Sequence, residues 1–580
     1  MNNTHDNIPD PKRIEKELGE FLNKKFGGKV KIISPSLAPQ TKPISGREGS
    51  SGRKKLVNFD MKPAELIAYL DQYIVRQEQA KSILATKICT HFNRIKHLET
   101  SKHSDIRITG SIKSNILMLG PTGVGKTYMV KLIAKRLGVP FVKADATKFS
   151  ETGYVGGDVD DLVRDLVKEA DDDIELAECG IIYLDEIDKI ASSGSIRGSD
   201  ISRTGVQRAL LKPMEETDVD LKVPHDPVSM MQELERFQRT GKRSQRRVNT
   251  ANILFIMSGA FSELNEIVER RVTHHSMGFG SSLVKARKNS EILKKVTAED
   301  LVEFGFESEF IGRLPVRCVL DTLSKEDLLT ILTMPNNPVI LGKRLDFAAY
   351  GIEIVFTPEA LDILAQRASE ENTGARGLVS VVENALLEFE EKLPSTDTKS
   401  FVVTPKVLTD PKKQLAYILT GKNREFLDQQ FIDERQRSKE LLSGHILENC
   451  KELSLHHGLT LSKQRSDLVA EYYSIHVTEL GTAIQAIKTF YETIKKVEVD
   501  FYHKHDINIA FEEDAVDFLI EEFIRHDITQ DELMDKFYSD FYDGLNLIRE
   551  KSGTKRFFIP RKALVDQEGF LGELIRKIIS

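Results

Sequence analysis

Cysteine is scarce, with 4 in 580 residues. Cys89, Cys179, Cys318 and Cys450 lie far apart, with no CxxC pair and no Cys/His cluster. That spacing speaks against a zinc site and a disulfide framework, and it fits a reducing compartment. No apolar run reaches the length of a membrane span. The start, Met1-Asn2-Asn3-Thr4-His5-Asp6, is polar and shows no secretory signal. A cytoplasmic location without a membrane partner is the expectation. Net charge is small as well, formally −7, so bulk electrostatics give no pull toward nucleic acid. What remains is a globular composition, 40% hydrophobic and 29% charged, long enough for several domains.

One stretch organises the chain. Ile116 to Leu119 read as a short apolar strand, and Met129 to Ala134 read as part of a helix. Between them Gly120-Pro121-Thr122-Gly123-Val124-Gly125-Lys126-Thr127 match G-x-x-x-x-G-K-[ST], the phosphate-binding P-loop. Glycines let the backbone curl so that its N–H groups face a polyphosphate, and the helix N-terminus adds positive partial charge. Lys126 can reach the β- and γ-phosphates, and the Thr127 hydroxyl can ligate Mg²⁺. ATP with Mg²⁺ is the expected cofactor pair.

Other features follow in order. Residues 1–61 read as a polar N-terminal segment and linker. A helical segment spans Pro63 to about His97, and within it Tyr73, Ile74 and Val75 either wall an adenine pocket or belong to the core. Gly153-Tyr154-Val155-Gly156-Gly157 sets an aromatic between glycines, exposed on a loop or folded back onto the core. The apolar run Gly180 to Leu184 ends in Asp185-Glu186, followed by Ile187-Asp188-Lys189. In a parallel sheet that end lies beside the P-loop. Asp185 can then hold Mg²⁺ through water, and Glu186 can polarise the water that attacks the γ-phosphate. Residues 217–250 read as a long polar segment with Lys242, Arg243, Arg246 and Arg247 near its end. Ser258 ends another apolar strand and is a candidate polar group directed at the γ-phosphate. Arg313 follows a helix in Ile311-Gly312-Arg313-Leu314-Pro315, and Arg376 lies between glycines in Gly374-Ala375-Arg376-Gly377-Leu378. Arg suits charge on a transferring phosphoryl group.

Over about residues 62–410 this set resembles the AAA+ protein unfoldases of the ClpX/HslU group, in the family's order, ClpX-like members most closely. The short spacing between the P-loop and Asp185 leaves no room for the inserted domain of HslU-like chains. The resemblance implies an α/β fold: a P-loop AAA+ module with a parallel sheet flanked by helices at 62–322, a smaller α-rich lid at 323–410 and a mainly helical C-terminal extension. It implies that Arg313 is an arginine finger donated to a neighbouring subunit and that Arg376 is the sensor 2 residue. A homo-oligomeric ring, a hexamer, follows from that. Tyr154, Val155 and Gly156 correspond to the pore loop that grips protein substrates, and Met277, Gly278 and Phe279 to the tripeptide that docks on a ClpP-like peptidase.

There are departures. The chain carries no four-cysteine zinc segment, Arg76 stands where the family commonly has Gly, and the docking tripeptide begins with Met277. Residues 411–505 are charged and helical, in the manner of a helical hairpin. Ile352 to Phe356 recur as Ile507 to Phe511, and Ala360, Asp362 and Leu364 as Ala515, Asp517 and Leu519. Phe401 to Val403 are echoed by Phe557 to Ile559. Residues 506–580 therefore read as a degenerate second lid without sensor 2, or as chance similarity of two strand–helix units. The expected function is an ATP-dependent protein unfoldase and translocase. The alternatives are a stand-alone AAA+ remodelling chaperone and a nucleic-acid-remodelling AAA+ motor, which the acidic charge and the Tyr154 loop disfavour.

Overall fold

The computed structural model describes residues 60–100, 113–150, 157–191, 201–221, 247–274, 289–420, 423–526 and 529–579. The chain divides into two units, Met1–Lys55 and Leu56–Ser580, and the first lies outside the described residues.

The ATPase region is built on five strands. They are β1 (Ile116–Leu119), β2 (Phe141–Asp145), β3 (Ile181–Asp185) and, after a short antiparallel pair β4 (Asp218–Asp220) and β5 (Arg247–Asn249), β6 (Leu254–Gly259) and β7 (Val316–Val319). The sheet order is β2-β3-β6-β1-β7, with every neighbouring pair parallel. A parallel sheet is covered on both faces, which is why β1 and β6 are buried along their whole length. Alternate residues go to opposite cores. Leu117, Leu119, Ile182, Leu184, Phe255 and Met257 belong to one, and Ile116, Met118, Ile181, Tyr183, Leu254 and Ile256 to the other. The turns after β1, β3 and β6 therefore share one edge of the sheet.

Two sequence expectations change here. The helical segment from Pro63 to His97 is two helices, Pro63–Asp71 and Glu78–Thr100. Arg76 (φ 60°) and Gln77 (φ 69°) adopt left-handed backbone between them, which no continuous helix accommodates. The polar stretch at 217–250 is tied at its base by β4 and β5, with Val219 opposite Val248. Of its basic residues only Arg247 is described, in β5; Lys242, Arg243 and Arg246 lie outside the described residues.

The next module has its own core, which includes Leu328, Phe347, Ile354, Phe389 and Phe401. It runs through helices Lys325–Thr333 and Pro338–Ala348, β8 (Glu353–Phe356), helices Pro358–Glu370 and Ala375–Lys392, β9 (Ser400–Val403), and helices Pro405–Thr409 and Pro411–Leu419. Proline opens four of these helices, at 338, 358, 405 and 411, where its missing N–H is no loss.

Residues 411–505 hold more than a hairpin. Helices Arg424–Glu448 and Cys450–His457 come first, then Lys463–Ile475 and Leu480–His505. After them come β10 (Asn508–Phe511), helices Glu513–His526 and Gln530–Ser552, β11 (Arg556–Ile559), and helices Arg561–Val565 and Gln567–Ile579. From Lys463 onward this is the element order of 325–419. Both strand pairs are parallel, with Ile354 opposite Phe401 and Ile509 opposite Phe557. Both begin on Leu-Ser-Lys, where Ser324 caps through the Asp327 N–H and Ser462 through the Arg465 N–H. Each carries an ion pair from the first helix to the same place, Lys325–Asp362 at 3.0 Å and Arg465–Asp517 at 2.9 Å. Among the described residues no helix is long and apolar enough to cross a membrane.

Candidate active site

The turn between β1 and the helix Lys126–Leu137 curls through three glycines with positive φ, Gly120, Gly123 and Gly125. At Gly123 (φ 76°) a Cβ would stand 2.0 Å from the Thr373 carbonyl oxygen, so only glycine fits. Gly123 also joins the turn to the lid module, its carbonyl accepting from the Ala375 N–H at 2.8 Å. Lys126 folds back over the turn and donates to the Gly120 and Pro121 carbonyls at 2.7 and 2.8 Å. Burial lowers its ammonium to about 8.

The acidic group lies alongside. Thr127 Oγ1 is 3.4 Å from Asp185 Oδ2, and it donates to the Tyr183 hydroxyl at 3.1 Å. Tyr183 donates to Ser258 Oγ at 2.6 Å, and Ser258 donates to Asp185 Oδ1 at 2.6 Å. Burial works against the Asp185 charge. The Ser258 hydrogen bond, Lys143 at 3.2 Å and the Glu186 N–H outweigh it and hold the carboxyl below its usual range. The Tyr183 hydroxyl, pushed up to about 12 by burial, stays a donor. Glu186 is exposed and sits at φ 57°, a strained backbone that turns it out of the strand line.

Ser258 differs from its expected place. It is fully buried and turned toward Asp185, and the cavity is lined instead by the next residues, Gly259 and Ala260. Tyr183 and Lys143 are not picked out from sequence, and Asp188 is marked only as part of the run Asp185 to Lys189. Tyr183 carried a faint signal, a hydroxyl in an otherwise apolar strand.

These groups surround a cavity of about 560 Å³. Tyr73, Ile74 and Val75 form one wall, with Met334, Asn337 and Val339 of the lid module opposite, an apolar slot beyond the phosphate turn. Thr122 to Thr127, Asp185, Glu186, Asp188 and Arg376 line the polar end. Gly120 and Pro121 meet the site through the carbonyls that hold Lys126. Arg313 does not line this cavity; it pairs with Glu215 at 2.5 Å. Tyr154, Val155 and Gly156, and Met277, Gly278 and Phe279, lie outside the described residues.

Residues 111–317 match the family model of the AAA domain (Cdc48 subfamily), and residues 323–389 match that of the C-terminal, D2-small domain of ClpB protein. The chain is 40% identical over 351 residues to the ATP-dependent Clp protease ATP-binding subunit ClpX of Treponema denticola, covering 81% of that protein and 60% of this one. The chain belongs to the ClpX family. It is accordingly an AAA+ ATPase of the unfoldase type. Within a ClpX-family chain the Arg76 departure has a local account. The position is left-handed (φ 60°), which glycine adopts freely. Here the side chain offsets the strain by pairing with Asp327 of the lid module at 2.9 Å.

Proposed function

We propose that this chain hydrolyses ATP in a hexameric ring and uses the cycle to unfold and thread polypeptides, passing them to a ClpP-like peptidase. The observation that carries the reading is the convergence in one cavity of Lys126 and Thr127 from the phosphate turn, Asp185 and Glu186 from the strand end and Arg376 from the lid module. Thr127 and Asp185 offer adjacent oxygens, one anionic, of the kind that suits Mg²⁺. Mg²⁺ held there by Thr127 and Asp185 would supply positive charge to offset that of the polyphosphate. Backbone N–H groups of Thr122 to Thr127 and the Lys126 ammonium bind the polyphosphate. Tyr73, Ile74 and Val75 enclose the base. Glu186 orients and deprotonates the attacking water, and Arg376 reports the γ-phosphate to the lid.

Arg313 lies outside the lining of its own cavity and pairs with Glu215, which supports a role as a finger serving a neighbouring subunit. Tyr154, Val155 and Gly156 would grip the substrate in the pore, where an aromatic holds many sequences by bulk. Met277, Gly278 and Phe279 would dock the peptidase, in keeping with the protease-subunit name of the relative from Treponema denticola. A stand-alone remodeller is the second reading, favoured by Met277 at the head of that tripeptide. Residues 461–579 we read as a second, nucleotide-free lid. Thr529 caps its long helix at the place that Gly374 occupies in the first lid, and no arginine corresponds to Arg376.

Glu186→Gln tests the chemistry. It should bind ATP while losing at least ~100-fold in turnover; unchanged turnover removes Glu186 from the mechanism. Tyr154→Ala should lower the unfolding of a tagged protein more than ATP turnover. A pull-down with and without residues 277–279 separates the peptidase-linked reading from the stand-alone one.

A further inference from the structure

The wall of the nucleotide cavity is held from outside the ATPase and first lid modules. Tyr73 donates its hydroxyl to Glu479 Oε2 at 3.2 Å, and Glu479 Oε1 lies 3.6 Å from the Lys135 ammonium. Lys135 is in the last turn of the helix that Lys126 begins. Glu479 immediately precedes the extension helix Leu480–His505. Burial, then Tyr69 and Glu479, push the Tyr73 hydroxyl up, so it serves as a donor.

The opposite wall is held by the same element. Met334 and Asn337 line the cavity. Between them, the Pro335 carbonyl accepts from the Tyr473 hydroxyl at 2.9 Å, and Asn336 Oδ1 accepts from the Leu480 N–H at 2.8 Å. Asn336 is buried, and its Nδ2 reaches back to the Gln72 carbonyl at 3.4 Å. Arg344 of the first lid donates to the Tyr473 and Ser474 carbonyls at 3.0 and 3.1 Å. Residues 473–480 therefore touch Tyr73 of one wall directly and, on the other side, Pro335 and Asn336, which lie between the lining residues Met334 and Asn337.

We propose that Glu479 and Tyr473 are positioning residues for nucleotide binding. Glu479 acts through Tyr73, and Tyr473 through the 334–337 loop. Neither touches nucleotide. Together they hold the two walls at one separation, so nucleotide affinity depends on the C-terminal extension. This rests on the ATPase reading above.

The test uses the full chain, a fluorescent ADP analogue for equilibrium binding, and ATP turnover resolved into KM and kcat. Glu479→Ala and Tyr473→Phe should each weaken ADP binding and raise KM by ~3- to 10-fold, the range expected for one indirect hydrogen bond, with kcat within ~2-fold. The double variant should lose more. Glu479→Gln keeps an acceptor for Tyr73 and should recover most of the affinity. Thermal unfolding shows whether each variant is folded. Folded variants with unchanged ADP affinity overturn the proposal and leave the ATPase reading intact. A fall in kcat alone, or no recovery by Glu479→Gln, also overturns it. A wild-type chain that binds no ADP overturns both.

Discussion

Lys126 is held by two carbonyl oxygens in a place where burial disfavours charge, and it loses its proton at about 8 rather than at 10.5. A bound polyphosphate keeps the ammonium charged. Above pH 8 the free protein is increasingly neutral at Lys126, so ATP binding there must take up a proton. Calorimetry at pH 8.5 in two buffers of different ionisation enthalpy should show that uptake, shrinking toward pH 7 and absent in Lys126→Ala. Arg76 carries a second residue-scale test. Left-handed backbone costs a non-glycine residue ~1 kcal/mol, and a part-exposed ion pair returns ~0.2–1 kcal/mol. Arg76→Gly should therefore lie ~0–0.8 kcal/mol above wild type, whereas Arg76→Ala, which keeps the strain and loses Asp327, should fall ~0.2–1 kcal/mol below it. Urea unfolding of the nucleotide-free chain measures both, and equal stabilities would remove the strain account. The phosphate turn was legible because its signal is local spacing. The Tyr183–Ser258–Asp185 relay was not, since its members meet only when β3 and β6 pair.

At the scale of elements, helical periodicity marked the segment from Pro63 to His97 and missed the break inside it. The turn at Arg76 and Gln77 has no glycine or proline to announce it. The likeness between the lid and residues 506–580 was legible through its strands, whose apolar runs recur. Its first two helices, Lys463–Ile475 and Leu480–His505, were hidden because their apolar positions face a different neighbour and only Leu-Ser-Lys repeats. In that module Arg465, 5% exposed, reaches Asp517 and Glu513 and lies over the Tyr491 ring at 4.9 Å. Removing one partner strands a buried charge. Arg465→Ala should destabilise the extension by ~3–5 kcal/mol, and adding Asp517→Ala should restore part of that. Limited proteolysis that cuts 461–579 first in Arg465→Ala alone would bear this out; equal resistance of all three proteins would count against it.

For the whole molecule, the position of Arg313 matters most. It rests on Glu215, outside the cavity of its own chain. If it completes a neighbour's site, Arg313→Ala and Glu186→Gln chains, each nearly inactive, should regain part of the turnover when mixed. A site in an Arg313→Ala chain can then meet an intact arginine from a Glu186→Gln neighbour. No recovery after confirmed mixing of subunits would mean that the finger acts within its own chain. Sequence reading named Lys126, Thr127, Asp185, Glu186 and Arg376, which line one cavity. It did not reach the extension's grip on Tyr73, a contact between residues 406 positions apart. Separation of that size leaves no periodicity or spacing to read.

The Asn336 carboxamide has a consequence of another kind. Its two ends are committed in opposite directions, one to Gln72 of the ATPase module and one to Leu480 of the extension. If nucleotide turns the lid relative to the sheet, these two bonds couple that turn to the helix Leu480–His505. A pair of dyes, one on the helix Gln567–Ile579 and one on the ATPase module, should then change separation when nucleotide is added, and an unchanged separation would mean that the extension does not follow the lid.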